Sequence, residues 1–339
     1  MIEFRNTKFK TCVEGEFMSI LRLGLFGLLP FLMVACTSHH HERFPPLPAP
    51  QLLTFESDAS GFNTKTFFYD NGEEVVAIDS QFTPELARQA IAFLKTKSKN
   101  PITHLIITHP NPDKFNGIGE FKKVGAKVVV SLATADAMEG VHNYKKNYFV
   151  QSKMFTDETY PALQMPDVTF DKALNLTLRA GDVLELKELR RPGVSSNQTV
   201  VYMPKIKALV VGDLVHHKAH AWLEGGIVKG VAKPTIKGWI SDLKSLKKKY
   251  PKDTQVYGGR GETAELATAV SDEINYLKKM DALVADYVKE LGKRKNELKS
   301  ENAKAHYEEI QKRAEAAFPD YKLGYMVQYG VYGLVNSKL

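Results

Sequence analysis

The order of elements along the chain predicts an α/β fold made of two αβ halves packed face to face. Three observations carry this: antiparallel strand signals just after residue 51, a βαβα alternation from 102 to 140, and a return to antiparallel strands from 168 to 211 followed by more helix. Segments 52–56, 65–69 and 74–79 read as strands, with Asp70-Asn71-Gly72 as the turn between the latter two. Thr83 and Pro84 open a helix in which Leu86, Ala90, Ile91 and Leu94 recur at helical spacing. A mostly apolar strand then ends at Thr108. Beyond it, 113–124 reads as a short helix stopped by Gly125, 126–130 as a strand and 133–140 as a helix. Segment 168–189 alternates about a turn at Ala180-Gly181-Asp182, and 199–203 pairs with 208–211. An amphipathic helix over 236–250 turns Trp239, Leu243 and Leu246 inward and lysines outward, and 255–257 is a strand. From Glu262 the pattern is mostly helical, with a weak stop near Gly292. Tyr276, Met280, Leu283, Val284 and Tyr287 form a docking stripe rather than a ligand box.

The chain has 339 residues, 43% apolar and 25% charged, which is ordinary globular composition and enough for a sizeable core. Its net charge of +7 comes mainly from lysines on helix faces, without the arginine-aromatic interleaving of a nucleic-acid surface, so no nucleic-acid partner is expected. The two cysteines, Cys12 and Cys36, both precede the folded part, so no disulfide framework is available to it.

Residues 1–36 read as an N-terminal extension and signal peptide, with Met18 as an alternative start. A short basic stretch from Met18 to Arg22 leads into an uncharged apolar run from 23 to 35, too short to span a bilayer. The run ends in Leu-Met-Val-Ala-Cys36, which resembles a bacterial lipobox. That resemblance implies a lipid anchor on Cys36, and Thr37 after it implies the outer membrane, facing the periplasm. Residues 37–50 are a proline-rich tether in which His39, His40 and His41 read as solvated. The folded domain is expected over 51–287 and a helical C-terminal extension over 288–339.

The densest polar signal follows the strand that ends at Thr108: His109, Asn111, Asp113 and Lys114 crowd its carboxyl end, where open α/β sheets place their chemistry. The stretch Thr108-His109-Pro110-Asn111-Pro112-Asp113-Lys114, with Gly117 after it, resembles the Thr-His-x-His-x-Asp-His signature of the metallo-β-lactamase superfamily. Three later elements resemble that family in the same order. They are Pro192-Gly193-Val194-Ser195, the Gly212-Asp213 that ends a strand, and Gly258-Gly259-Arg260-Gly261. The resemblance implies an αββα sandwich with a pocket at the strand ends, holding one or two zinc ions on histidines and carboxylates. At the positions it implies, His109, Asp113 and Asp213 are retained, whereas Asn111, Lys114, Val194 and Arg260 stand where the family has histidine.

An ammonium or guanidinium cannot bind a cation, and two buried carboxylates without metal need compensating charge. The substitutions therefore predict that Lys114 and Arg260 neutralise Asp113 and Asp213 in place of zinc, leaving a cationic pocket for an anionic small molecule. Two alternatives stay open. One is a rewired single-metal site in which His216, His217 or His220 joins His109, Asp113 and Asp213. The other is a hydrolase of the ester, thioester or lactone class in which Asp113 or His109 is the general base and Lys114 and Arg260 stabilise an anionic transition state.

Overall fold

The computed structural model describes residues 47–189, 191 and 193–339, so Cys36 and the expected signal segment lie outside the described residues, as does most of the tether. Two six-stranded sheets form the centre. The first runs β1 (Gln51–Glu56), β2 (Lys65–Asp70), β3 (Val75–Ile78), β4 (Ile102–Ile106), β5 (Lys127–Ser131), β6 (Val168–Phe170) in spatial order. Its β1–β3 strands pair antiparallel and its β3–β6 strands parallel. The second contains β7 (Ala173–Thr177), β8 (Val183–Leu189), β9 (Gln198–Met203), β10 (Ala208–Gly212), β13 (Gln255–Gly258) and β14 (Ala264–Glu265), with β10 and β13 parallel and the rest antiparallel. A small hairpin, β11 (Gly226–Val228) and β12 (Val231–Lys233), stands apart from both.

The period-2 rule decides which face each side chain joins. Phe67, Tyr69, Val76, Ile78, Ile106 and Val129 of the first sheet meet Leu184, Leu186, Val201, Met203 and Val210 of the second in one buried layer between the sheets. The alternate residues Phe68, Val75, Ala77, Leu105, Val128 and Val130 turn outward onto α1 (Pro84–Lys97), α3 (Ile118–Lys123) and α4 (Leu132–Gln151). Val200, Leu209 and Val211 do the same on the other side, against α5 (Ile236–Lys249) and α6 (Leu266–Leu291). The result is the αββα sandwich that the sequence predicts. Because β3, β4, β10 and β13 all pair in parallel within their sheets, their following loops gather on one edge of the sandwich.

Several boundaries differ from the sequence reading. The helix expected over 113–124 is split into α2 (Pro112–Phe115) and α3 by Asn116 and Gly117. Helix α4 runs through Gly140 to Gln151, since one glycine costs only about 1 kcal/mol and Val141 and Phe149 beyond it are buried. The boundary expected at 287 falls inside α6, whose Tyr276, Met280, Val284 and Tyr287 are core. They pack with residues of α7 (Ala303–Ala317), α8 (Tyr325–Gly330) and α9 (Tyr332–Asn336).

The turn after β3 and the loop after β4 lock together. Ser80 donates from its amide and its hydroxyl to the Lys114 carbonyl, and Gly117 donates to the Gln81 carbonyl. A Cβ on Gly117 would lie 1.9 Å from the Ser80 carbonyl oxygen, so only glycine permits this approach. Gly117→Ala is therefore expected to lower the unfolding free energy by roughly 1–3 kcal/mol. Urea unfolding measures it, and an unchanged midpoint would show that the two loops are not in backbone contact.

Candidate functional site

The site is assembled from loops of both sheets. Asp79, at a left-handed φ of 64°, accepts the Thr108 amide at 2.9 Å and the Thr108 hydroxyl at 2.9–3.0 Å, which fixes the end of β4. The Thr108 carbonyl accepts from the Thr199 amide at 2.7 Å, joining the first sheet's loop to β9. His109 then points inward, fully buried, with Nδ1 3.0 Å from the Thr108 hydroxyl. Asn111 precedes α2, which presents Asp113 and Lys114. From the second sheet, β10 delivers Asp213 and β13 delivers Gly259 and Arg260.

These residues meet in one ionic centre. Arg260 donates from Nη1 to Asp213 Oδ2 at 2.6 Å and from Nη2 to Asp113 Oδ2 and Thr64 Oγ1, each at 2.9 Å. Its Nε donates to the Phe62 carbonyl at 2.6 Å. The Lys114 ammonium lies 2.9 Å from Asp113 Oδ2 and 2.8 Å from Asp213 Oδ1, as ion-pair contacts without hydrogen-bond alignment. Asp113 Oδ2 also accepts from the Thr64 hydroxyl at 2.9 Å. His109 Nε2 is 3.7 Å from Asp213 Oδ2. A Cβ on Gly259 would sit 2.1 Å from Asp213 Oδ1 and 2.9 Å from Lys114 Nζ, so the glycine makes room for the pair.

Burial and charge compete at each group. Burial pushes the Asp113 carboxyl up, but Lys114 and Arg260 outweigh it and bring it down to about 2. Burial likewise opposes ionisation of Asp213, and Arg260 and Lys114 hold it well below the usual carboxylate range. Lys114, penalised by burial, is raised by Asp113 and Asp213, and Arg260 is raised for the same reason. Burial lowers His109 to about 4, so its imidazole is neutral at pH 7. Two carboxylates and two cations therefore balance. Beside them, burial raises Asp79 to about 7 against the opposing pull of Lys114.

Above the centre lies a cleft lined by Phe62, Phe82, Asn111, Pro112, Asp113, Lys145, Phe149, Asp213, Trp222, Arg260 and Met326. Its empty space is about 380 Å³. The Lys145 ammonium is paired with Glu224 and stands 5.1 Å over the Trp222 ring.

Of the residues singled out from the sequence, His109, Asp113, Lys114, Asp213 and Arg260 come together, and Asn111 lines the cleft. Val194 does not. It is 1% exposed in the core beneath α5, because an apolar side chain there packs with the Trp239 layer instead of facing polar loops. His216, His217 and His220 also miss the cleft lining. His216 is fully buried, with its amide donating to Glu273 at 2.8 Å; His217 Nδ1 is 3.3 Å from Asp272; and His220 Nδ1 is 3.2 Å from the Tyr276 hydroxyl. Sequence reasoning missed Thr64, Lys145 and the aromatic lining. Only Thr64's place in the loop just before a strand could have hinted at its role. Among the described residues, no cluster of three or more histidine, cysteine, aspartate or glutamate side chains is arranged to hold a metal ion.

An αββα sandwich with a composite site on its loop edge, built half from each sheet, defines the class of fold. A family profile described as the metallo-beta-lactamase superfamily matches residues 59–260, and the chain belongs to that superfamily. Among curated proteins it is similar to a metallo-beta-lactamase type 2 of Bacillus cereus, 24% identical over 191 residues, covering 56% of this chain and 64% of that one. A protein of the same description from Bacillus sp. (strain 170) is 22% identical over the same shares. The match thus spans less than two thirds of these relatives' length. Among solved structures, a metallo-beta-lactamase from Pontibacter korlensis superposes with a TM-score of 0.52 at 22% identity, covering 69% of this chain and 97% of that one. That likeness speaks for the fold alone.

Two predictions follow from these charges. Arg260→His leaves Asp113 and Asp213 with Lys114 alone, because the shorter imidazole cannot span both carboxylates. Losing one partner of a buried ion network costs about 3–5 kcal/mol. A urea midpoint equal to wild type would show that Arg260 does not hold them. The second concerns Glu273, whose carboxyl burial raises from 4.5 to about 8. As pH rises through this window the unfolded chain ionises while the folded carboxyl stays neutral, so wild-type stability falls. Glu273→Gln removes that loss, and its stability relative to wild type should climb between about pH 4.5 and 8. Parallel stability curves for the two proteins would sink the assignment.

Proposed function

We propose that this domain works as a small-molecule-binding member of its superfamily in which Lys114 and Arg260 take the charge-compensating role of zinc. The carrying observation is that the Lys114 ammonium and the Arg260 guanidinium each contact both Asp113 and Asp213. A zinc ion in the same place would meet one imidazole, two carboxylates already paired with cations, and a like charge within bonding distance. That donor set does not fit the ion, which takes three or four uncharged-imidazole, thiolate or carboxylate ligands. Of the histidines in the rewired single-metal alternative, His217 and His220 are engaged with Asp272 and Tyr276, which leaves His216, whose buried ring nitrogens have no partner among the described residues; no group of three or more metal-ligating side chains forms there among those residues.

The β-lactamase activity in the relatives' names does not carry over with the fold. Fixed ammonium and guanidinium groups supply positive charge but no vacant position on which water could ionise. Asp113, at about 2, is a weak base at neutral pH, and His109 is sealed from the cleft. The anionic ligand expected from the sequence needs free cations. Lys114, Arg260 and Lys145 are each engaged by carboxylates, so such a ligand would first have to displace one of them. We further propose that the chain is held at the bacterial envelope, on the outer membrane, by a lipid on Cys36; the lipobox-like run ending there supports it.

Metal analysis of freshly purified protein tests the central reading. Zinc well below one equivalent, unchanged by His109→Ala, is the expected result, together with no zinc-stimulated turnover of ester, thioester, lactone or phosphoester substrates. Stoichiometric zinc lost in His109→Ala would overturn it. Turnover abolished by Asp113→Ala would instead place the domain among the hydrolases.

A further inference from the structure

The polar atoms facing the cleft can be accounted for one by one, and the remainder defines a ligand. Arg260 spends Nε, Nη1 and Nη2 on the Phe62 carbonyl, Asp213, Thr64 and Asp113. Lys145 is held by Glu224, which also accepts from the Trp222 indole at 2.8 Å. No cation of the cleft wall is left free. Asp113 receives Thr64, Lys114 and Arg260 all on Oδ2, so among the described residues no donor reaches its Oδ1. The Asn111 side-chain amide is likewise without a partner among the described residues, since it makes no capping bond to α2. The unused capacity is thus one anionic acceptor and one neutral amide.

The walls point the same way. Phe62 packs edge-on against Phe82 at 5.0 Å and against Trp222 at 5.9 Å, and Phe149 lies 5.1 Å from Phe82. Aromatic faces carry negative charge density and favour ring edges and cations over anions. Aromatic side chains on several sides of the cleft suit a flat ring. One wall comes from beyond the family-matched residues 59–260: Met326 of α8 closes the slot. That helix is held in place, with Tyr325 donating to Asn63 at 2.7 Å and Gly330 so close to the Trp222 ring that a Cβ there would lie 2.7 Å from it. The C-terminal extension is a fixed side of the cleft.

We propose that the cleft binds flat, single-ring molecules that donate hydrogen bonds, of the aromatic amide or amidine class, with the donors on Asp113 Oδ1 and Asn111, and that it discriminates against the corresponding carboxylates. This rests on the reading of a metal-free, internally neutralised centre. Anion rejection follows from the same accounting: a carboxylate would face Asp113 with every neighbouring cation already paired.

Titration of the purified protein with benzamidine, benzamide and benzoate, read by calorimetry and tryptophan fluorescence, tests it. Benzamidine and benzamide are expected to bind saturably and benzoate at least about tenfold more weakly, a gap of 1.4 kcal/mol. Phe149→Ala should weaken both good binders, Asn111→Ala should weaken benzamide, and Met326→Ala should admit a two-ring amidine that wild type excludes. Tightest binding of benzoate would overturn the proposal, as would binding indifferent to Phe149→Ala and Asn111→Ala or no binding of any probe. Zinc content measured on the same sample separates these failures from failure of the metal-free reading, which it alone reports.

Discussion

Asp113 and Asp213 arrive at the loop edge from opposite sheets, and the sandwich cannot close without bringing them together. Two carboxylates in a water-poor space repel, and each resists ionisation there unless positive charge is supplied. Here the charge comes from side chains of the loops after β4 and β13: Lys114 follows Asp113 directly, and Arg260 lies just beyond the Gly259 that makes room for the pair. Closure of the two halves and neutralisation of the centre are consequently one event. That coupling explains why the surrounding backbone is so constrained, with Asp79 and Gln81 both at positive φ in a buried turn that receives the Lys114 carbonyl and the Gly117 amide.

The same coupling gives the centre its direction of response to pH. Cations beside Asp113 and Asp213 depress both carboxyls, so acid must reach well below their ordinary range before the network loosens. Asp79 and Glu273 behave oppositely, because burial is the larger effect at each and raises both. Buried carboxylates gathered into one region of the fold are therefore sorted into charged and neutral by whether a cation is within contact. Position in the sequence has no bearing on it.

Much of the fold was legible because its signals are local. The strand faces of Phe67, Phe68 and Tyr69 or Val75, Val76 and Ala77 follow from alternation, and the cap at Thr83 is visible as a threonine before proline. The meeting of Lys114 with Asp213 was legible for a different reason, since a charge change at one motif position makes sense only against the charge it faces. The short strands β11, β12 and β14 offer too few residues for a period to show. Val194 was misplaced because the motif fixes where the chain passes but not which way a side chain turns, and an isopropyl group turns to the core. The cleft itself was invisible. Phe62, Phe82, Phe149, Trp222 and Met326 lie far apart in sequence, and nothing local distinguishes them from ordinary core aromatics and methionines.

That last failure bears on how one fold comes to serve different chemistry. The ionic centre is made by residues of the matched span, and its charge is carried by the side chains of Asp113, Lys114, Asp213 and Arg260 on loops at the edge of the sandwich. The slot above it is partly built by the C-terminal segment, through Met326 and the packing of Gly330 on Trp222 and of Gly333 against the Glu224 backbone. The Glu224 that holds Lys145 is thereby tied to a part of the chain outside the family match. Selectivity and charge compensation thus rest on separable pieces, one inside the shared fold and one appended to it. Substitutions in the appended piece can reshape what enters the cleft while the Asp113–Arg260–Asp213 network continues to hold the two halves together.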